Sequence, residues 1–351
     1  MAPGAKIKVL VVDDSAIVRK LLSDALSAEP DLEVVGTAPD PYIARDKILS
    51  LEPDVLTLDI EMPRMDGLTF LKKLMQYHPM PVIVISSLGR ASCSTAIKAL
   101  REGAIDVLAK PGGPYSVGEL RATLASKIRA AARARVLPRA QAEPAGTSDA
   151  DHAAAEPFDP ARVVAIGAST GGTVAIERVL TKLPAHSPAI VIAQHIPAGF
   201  SRAFAQRLDR ICRMEVKEAA DGDRVGPGRA LVAPGNIHLL LRKAGDGYRA
   251  EVKSGPPVCY QRPSVDVLFS SVAESAGARA VGVILTGMGS DGARGLLRMK
   301  QAGAATIAQD EASSVVFGMP REAIALGAAD RVVALSKVPS AIVAALRSGC
   351  K

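Results

Sequence analysis

Short, almost wholly apolar runs alternate with amphipathic stretches along most of this 351-residue chain. Runs of this kind are typical of parallel strands that helices cover on both faces, because neither face of such a sheet meets water. The chain is long enough for two domains with a core each. The runs are KVLVVDD, LEVVGTA, DVLTLDI, PVIVISS and DVLAKP in the first half, and RVVAIGA, PAIVIAQ, RALVAPG, HLLLRK, RAEVKS, AVGVILTG, ATIAQD and RVVAL in the second. The sequence therefore predicts an α/β protein.

A change of composition separates the two series of runs. An Ala- and Arg-rich stretch leads into a polar, small-residue segment that contains proline, which is typical of a flexible linker. We predict a first domain over residues 6–127, a linker over 128–157 and a second domain over 158–348. Hairpin signals around Gly245-Asp246-Gly247 predict that the sheet of the second domain is mixed.

Composition also argues against several classes of protein. The net charge of +7 is compatible with nucleic-acid binding, but Trp is absent and aromatic residues make up 3% of the chain, so we expect no stacking platform for bases. No window approaches the roughly 20 apolar residues of a membrane span, and no secretory signal precedes the first run. Cys93, Cys212, Cys259 and Cys350 lack the spacing of a zinc site or a disulfide framework. We expect a cytoplasmic protein with neither a nucleic-acid partner nor membrane insertion.

Polar side chains end the predicted strands of the first half. Asp13 and Asp14 follow the first run, Asp59 the third, Ser86 the fourth and Lys110 the fifth. Because the carboxyl ends of neighbouring parallel strands meet at one edge of a sheet, we expect these side chains to converge. Carboxylates packed together favour a cation such as Mg²⁺. A carboxylate nucleophile, a hydroxyl and an ammonium are also the groups needed to hold a phosphoryl group.

The motifs VVDDS, LDIEMPRMDG, VIVISS and AKP, in this order and spacing, resemble the response-regulator receiver family. The resemblance implies a flavodoxin-like, doubly wound parallel sheet and a histidine kinase as phosphodonor. It implies these roles: Asp59 as phosphoacceptor, Asp13, Asp14 and Asp59 as Mg²⁺ ligands, and Ser86 and Lys110 as phosphate partners. Val107 stands where receivers commonly carry an aromatic residue, so an aromatic switch is not expected here.

A turn of small residues surrounds one hydroxyl in the second half. Residues 167–171 (GASTG) fit the G-x-S-x-G pattern, with an apolar run before them and a helical pattern after them. A dinucleotide-binding turn is disfavoured, because Ser169 replaces the second glycine and the next run ends in Gln194-His195 rather than in an acid. A nucleophilic serine needs a base and a group that orients the base. His195 ends a predicted neighbouring strand, and Asp291 follows a later one, although Asp291 could instead cap the next helix.

The motifs that follow one another in the second half are IGASTGG, QHIPAGFSRAFAQRL, VAPGNIHLLL, RPSVDVLF, LTGMGSDGARGL and AQDEASSVVFGMP. Together they closely resemble the chemotaxis protein-glutamate methylesterase (CheB) family. The resemblance implies Ser169 as nucleophile, His195 as base, Asp291 as its partner, and Thr170 with the backbone of Met288 near the oxyanion. It also implies that the second domain is a doubly wound esterase. This domain is expected to need no cofactor for ester hydrolysis.

The activity implied by this resemblance is phosphorylation-activated hydrolysis of glutamate γ-methyl esters on methyl-accepting chemoreceptors, with deamidation of receptor glutamines as a second reaction. One departure concerns the substrate. Residues 259–261 are Cys-Tyr-Gln, where the family usually has Asn and His, and they are expected to flank the cleft.

Two other functions compete with this interpretation. A DNA-binding response regulator would account for the receiver motifs and the positive charge, but it needs a helix-turn-helix output domain and the second half repeats strand and helix. A receiver fused to a non-catalytic, partner-binding domain is the second alternative. The presence of Ser169, His195 and Asp291 argues against it.

Overall fold

The computed structural model describes residues 5–110, 117–136, 158–245 and 247–348. The chain divides into two compact units, Met1–Pro144 and Ala145–Lys351. Most of the predicted linker, residues 137–157, lies outside the described residues, as do Asp246 of the predicted hairpin turn and Cys350. The predicted domain limits therefore stay a prediction. Within the described residues, no helix is long and apolar enough to cross a membrane.

The first unit contains a five-stranded sheet in the order β2-β1-β3-β4-β5, in which every pairing is parallel. This order is that of flavodoxin-like doubly wound sheets, and it confirms the fold expected for the first half. The elements are β1 (Ile7–Val12), α1 (Ala16–Ser27), β2 (Leu32–Ala38), α2 (Pro41–Leu51), β3 (Val55–Asp59), α3 (Gly67–Tyr77), β4 (Val82–Ser86), α4 (Arg90–Arg101), β5 (Asp106–Ala109) and α5 (Val117–Ala132).

Helix α5 continues past residue 127, the predicted limit of the first domain, and ends at Ala132. Ile128 and Ala131 are fully buried, so the apolar face of the helix continues for another turn. On its other side Arg129 donates hydrogen bonds to Glu29 and Asp31, which follow α1. Packing and these ion pairs together stabilise the last turn of the helix.

The second unit is built on a seven-stranded sheet in the order β15-β14-β13-β6-β7-β10-β8, again with parallel pairings throughout. Its elements up to the hairpin are β6 (Val163–Ala168), α6 (Gly172–Leu180), β7 (Ala189–Gln194), α7 (Phe200–Ile211), β8 (Glu215–Glu218), β9 (Arg224–Val225) and β10 (Arg229–Val232). After the hairpin come α8 (Val265–Ala276), β13 (Ala280–Ile284), α9 (Ala293–Gln301), β14 (Ala305–Gln309), α10 (Met319–Ala325), β15 (Arg331–Val333) and α11 (Val338–Arg347).

The predicted hairpin is present, but its strands belong to a separate sheet. β11 (His238–Ala244) and β12 (Gly247–Lys253) pair in antiparallel fashion, and β12 also pairs with β9. They could not extend the main sheet beside β10, because β7 and β8 already occupy both of its edges. The antiparallel pairing predicted for the second domain therefore exists beside an all-parallel sheet.

Helix α8 packs unusually close to the elements that carry the candidate site. A Cβ atom at Gly167, in β6, would collide with Val265. A Cβ atom at Gly295, in α9, would lie 2.7 Å from the Cβ of Phe269. Phe269 and Val265 are both fully buried. The small residues of β6 and α9 thus bring the first turn of α8 up to the carboxyl edge of the sheet.

Candidate active site

The backbone around Ser169 is held from both sides at the end of β6. The N–H of Ser169 donates to the carbonyl of Thr286 at 3.0 Å. Its carbonyl accepts hydrogen bonds from the N–H of Gly172 at 2.7 Å and from the side-chain amide of Gln194 at 2.8 Å. Gly171 has a φ of 77°, a left-handed conformation that glycine adopts without strain. These contacts make a sharp, fixed turn between strand and helix, as the G-x-S-x-G pattern predicts.

His195 lies beside this turn because the strands that precede the two residues are neighbours. Ala168, at the end of β6, pairs with Gln194, at the end of β7. The N–H of His195 donates to the carbonyl of Ala168 at 3.1 Å, one residue before Ser169. The side chain of His195 is buried. The structure therefore brings Ser169 and His195 to the same edge of the sheet, as predicted.

Asp291 accepts four hydrogen bonds on a buried carboxylate. One comes from His195 Nε2, at 2.8 Å from Asp291 Oδ2. The others come from the first turn of α8: Ser264 Oγ at 2.8 Å, the N–H of Val265 at 2.7 Å and the N–H of Asp266 at 3.0 Å. A helix N-terminus stabilises negative charge. Asp291 therefore binds the N-terminus of α8, whereas α9, the alternative helix for Asp291 to cap, receives no side-chain cap from any described residue.

These contacts keep Asp291 ionised. Burial raises the pKa of its carboxyl, but the hydrogen bond and the charge of His195, together with the N–H groups of Asp266 and Val265, outweigh burial and hold the pKa below its ordinary value. A carboxylate only accepts hydrogen bonds, so the Nε2 atom that it contacts carries the proton. In the neutral imidazole the other ring nitrogen, Nδ1, is then the acceptor.

Nδ1 of His195 is buried and has no hydrogen-bond partner within the described residues. No hydrogen bond joins it to Ser169 Oγ in the described part of the chain, so the geometry is that of a base whose acceptor nitrogen is still open. Such contacts commonly tighten when a substrate binds. The arrangement can remove a proton from a hydroxyl at the end of β6.

The other predicted groups near Ser169 are Thr170 and the backbone of Met288. Thr170 is buried, and its carbonyl accepts a hydrogen bond from Thr286 Oγ1 at 3.0 Å. The carbonyl of Gly287 accepts from two N–H groups, which fixes the peptide that links it to Met288. A Cβ atom at Gly287 would lie 2.7 Å from Ser169 Cβ. Among the described residues the N–H of Met288 has no acceptor, so it is available to a negatively charged oxygen beside the serine.

Sequence reasoning missed the residues that hold these groups in place. Gln194 was considered only because it is not an acid, yet its amide binds the carbonyl of Ser169. Ser264 both caps α8 and donates to Asp291. The amide oxygen of Gln309 accepts from the N–H of Thr286, whose carbonyl binds the N–H of Ser169. A polar residue that ends an apolar strand is the one signal that could have singled out Gln194 and Gln309.

In the first unit the predicted residues also come together. Lys110 Nζ lies 2.7 Å from Asp59 Oδ2 and 3.2 Å from Asp13 Oδ2. One carboxylate oxygen each from Asp13, Asp14 and Asp59 lies within 4.8 Å of the others. Ser86 is buried at the end of β4, and its carbonyl accepts from the N–H of Lys110 at 2.9 Å. Val107 is buried in β5 and offers no aromatic ring to this pocket.

This donor set fits a magnesium ion. Oδ2 of Asp13 is buried and accepts no hydrogen bond from the residues that the structure describes, although Lys110 Nζ lies 3.2 Å away. Burial raises the pKa of Asp59 to about 6; the bond from Lys110 opposes that shift, and the charge of Asp13 adds to it. The pocket thus holds more negative charge than its own lysine neutralises, and carboxylate oxygens are the ligands that Mg²⁺ prefers.

Two family models match the chain, one for each unit. The model of the response regulator receiver domain matches residues 9–123, and that of the CheB methylesterase matches residues 164–342. The second match covers half of the chain. The chain belongs to the CheB methylesterase family. The resemblance predicted from the motifs is therefore confirmed for both halves.

Similar proteins extend over nearly the full length of the chain. A "Protein-glutamate methylesterase/protein-glutamine glutaminase 2" of Syntrophus aciditrophicus is 56% identical to this chain. The match covers 97% of this chain and 99% of that protein. A protein of the same name, without the number, from Chromohalobacter salexigens is 55% identical over 96% of this chain and 95% of its own. The CheB methylesterase catalytic domain of Thermotoga maritima, a crystal structure, is 37% identical with a TM-score of 0.52 and covers 53% of this chain and 99% of its own.

Membership in the CheB family decides between the functions considered above. The output half matches a methylesterase family, and seven of its described strands form one parallel sheet with helices between them. Neither the interpretation as a DNA-binding response regulator nor that as a non-catalytic binding domain gains support from these matches.

The raised pKa of Asp59 predicts a pH effect on stability. The ordinary pKa is 3.8 and that of the folded state about 6, so between these values the folded chain binds a proton that the unfolded chain has lost. Stability therefore falls as pH rises through this window, and at pH 7 the ionised Asp59 costs on the order of 1–3 kcal/mol. Asp59→Asn should raise the free energy of unfolding of the first unit at pH 7, with no gain below about pH 4.

The measurement is urea denaturation of the full chain with chelator present, at several pH values. Asp24→Asn, at an exposed position on α1, is the matched control and should change little at any pH. Added Mg²⁺ should stabilise the wild-type chain more than the Asp59→Asn variant. Destabilisation by Asp59→Asn at pH 7 would show that the ion pair with Lys110 outweighs the cost of burial.

Proposed function

We propose that the second unit is a serine hydrolase that cleaves glutamate γ-methyl esters on methyl-accepting chemoreceptors and deamidates receptor glutamines. One observation carries this proposal: the buried Asp291 carboxylate binds His195 through Nε2, and Nδ1 of the same ring has no partner among the described residues. The names of the similar proteins from Syntrophus and Chromohalobacter support the choice of substrate.

The first half of the reaction forms an acyl-enzyme. Ser169 Oγ attacks the ester carbonyl carbon while His195 Nδ1 takes the hydroxyl proton. The imidazolium that results is stabilised by Asp291 at 2.8 Å. The negative charge on the former carbonyl oxygen is stabilised by the N–H of Met288 and by Thr170. When the tetrahedral intermediate collapses, the C–O bond to the methoxy group breaks, and His195 returns its proton to the leaving oxygen as methanol departs.

The second half releases the product. Water attacks the acyl carbon, His195 takes its proton, and the bond to Ser169 breaks as that proton passes to Oγ. The glutamate carboxyl is free and the enzyme is restored. With a glutamine substrate the same steps release ammonia instead of methanol, because only the leaving group differs. The nucleophile, the base and the oxyanion donors all come from the chain, so the esterase step as proposed uses no cofactor.

The first unit is proposed to control this activity through phosphorylation of Asp59 by a chemotaxis histidine kinase. A Mg²⁺ ion held by Asp13, Asp14 and Asp59 would supply positive charge opposite the phosphoryl oxygens. Lys110, now 2.7 Å from Asp59, can bind a phosphoryl oxygen, and Ser86 lies at the end of the neighbouring strand. The scattered cysteines favour the cytoplasm as the place of this reaction.

Removing the nucleophile tests the proposed function directly. Ser169→Ala should lower methanol release from methyl-labelled receptor membranes by at least about 10³-fold, because the group that forms the acyl-enzyme is lost. Ser275→Ala is the matched control. It removes another serine hydroxyl of the same unit, one that donates to the carbonyl of Leu241, and should leave the rate unchanged. Methanol release by Ser169→Ala at a rate near that of the wild type would refute the proposed mechanism.

Control by the first unit is tested with Asp59→Asn. The variant should keep the activity of the unphosphorylated chain and lose the rise that a phosphodonor with Mg²⁺ causes in the wild type, because its amide cannot accept a phosphoryl group. The measurement is methanol release with and without the partner kinase and ATP. An unchanged rise in the variant would exclude Asp59 as the phosphoacceptor.

A further inference from the structure

A strained two-residue turn lies between β12 and α8. The N–H of Val258 donates to the carbonyl of Gln261 at 3.1 Å, and the N–H of Gln261 donates to the carbonyl of Val258 at 2.9 Å. The two residues between them, Cys259 and Tyr260, have φ values of 50° and 62°. Positive φ at both central positions is the geometry of a type I′ turn, for which Asn-Gly is favoured. Neither cysteine nor tyrosine favours this conformation, so the backbone is strained where glycine would relieve it.

This turn lies against the acid of the active site. Cys259 Sγ is 3.9 Å from Asp266 Oδ2, and the Asp266 N–H is one of the donors to Asp291. The thiol and one carboxylate oxygen each of Asp266 and Asp291 lie within 4.8 Å of one another. The turn is therefore next to the carboxylate that binds His195.

Arg262, which follows the turn, connects it to residues 235 and 236, and these lie against the loop that follows His195. Arg262 donates two hydrogen bonds to Asn236 Oδ1, at 2.9 and 2.7 Å, and a third to the carbonyl of Gly255 at 2.8 Å. Next to Asn236, a Cβ atom at Gly235 would collide with the backbone of Pro197 and Ala198, two and three residues after His195. The turn is thus held at the rim of the site, on the side of His195.

Tyr260 extends from this rim into solvent. It is 98% exposed, the highest value among the large hydrophobic side chains of the described residues. A ring so exposed contributes nothing to the core, and the strained backbone that presents it must be stabilised by the rest of the turn. Strain of this kind is found most often at functional sites. Tyrosine is also a frequent anchor in interfaces, since it buries a large area and loses little conformational freedom.

We propose that Tyr260 is a specificity-determining residue whose ring packs on aliphatic side chains of the protein substrate, beside the modified glutamate. This inference rests on the proposed esterase function. Tyr260 takes no part in bond making, so it acts on the binding of the protein substrate and not on the chemical steps. The inference therefore predicts that a small ester that ends with the glutamate residue is cleaved without help from the ring.

The test uses the full chain with a phosphodonor and Mg²⁺, two substrates and three variants. The substrates are methylated receptor membranes and the γ-methyl ester of N-acetylglutamate. Tyr260→Gly removes the ring and relieves the turn, so its melting temperature should equal or exceed that of the wild type. Tyr260→Phe keeps the apolar ring. Tyr77→Ala removes another largely exposed tyrosine, in the first unit, and is the matched control.

Tyr260→Gly should raise KM for receptor membranes by on the order of tenfold at unchanged kcat, the loss expected when an aromatic anchor is removed. The kinetics of Tyr260→Gly on the small ester should match those of the wild type. Tyr260→Phe and Tyr77→Ala should match the wild type on both substrates. Unchanged KM for the membranes would overturn the inference. So would an equal loss on both substrates, which would show a catalytic defect, or a gain in activity, which would show that the ring blocks the site. A wild-type chain inactive on both substrates would overturn the proposed function, and this inference with it.

Discussion

The Asp291 carboxylate joins three parts of the second unit that are far apart in the sequence. It follows β13, it binds the N-terminus of α8, and it holds the ring of His195 at the end of β7. A buried charge of this kind is stable only when donors surround it, and here four donors do so. The close packing of α8 on Gly167 and Gly295 keeps those donors within reach. The orientation of the His195 ring therefore depends on helix packing as much as on Asp291 itself.

The two sites of the chain treat buried carboxylates in opposite ways. Around Asp291 the donors outweigh burial, so the pKa is lowered and the group keeps a fixed charge. Around Asp59 burial and the charge of Asp13 outweigh Lys110, so the pKa is raised and negative charge remains uncompensated. In the proposed function, the first arrangement would serve a reaction that cannot wait for reorganisation of the site. The second would serve a cation and a phosphoryl group that bind and leave.

Much of both sites could be predicted because parallel strands place their last residues at one edge. That rule accounts for the places of Asp13, Asp59 and Lys110 in the first unit and of Ser169 and His195 in the second. The strands were found wherever apolar runs are nearly continuous. β8 was missed because its sequence, EVKE, is mostly charged, as an edge strand allows, and β9 was missed because it has only two residues.

What could not be predicted depends on contacts between distant parts of the chain. The bond from Ser264 to Asp291 joins residues 27 positions apart, and no local pattern encodes it. The same holds for the contact between Gln194 and the carbonyl of Ser169. The separate hairpin sheet follows from β7 and β8, which occupy both edges of β10. The left-handed turn at Tyr260 contradicts the local preference of its residues, which is why sequence reasoning noticed its unusual composition but not its conformation.

The tautomer of His195 shows whether Asp291 prepares this histidine to act as a base. Nitrogen NMR of isotope-labelled histidine side chains in the full chain, with the His195 signals assigned by their loss in His195→Gln, reports which ring nitrogen carries the proton. Because Asp291 can only accept a hydrogen bond from Nε2, the neutral ring should carry its proton on Nε2 and leave Nδ1 bare. A neutral ring with its proton on Nδ1 would rule out this role, since the nitrogen that Asp291 leaves without a partner could then accept no proton.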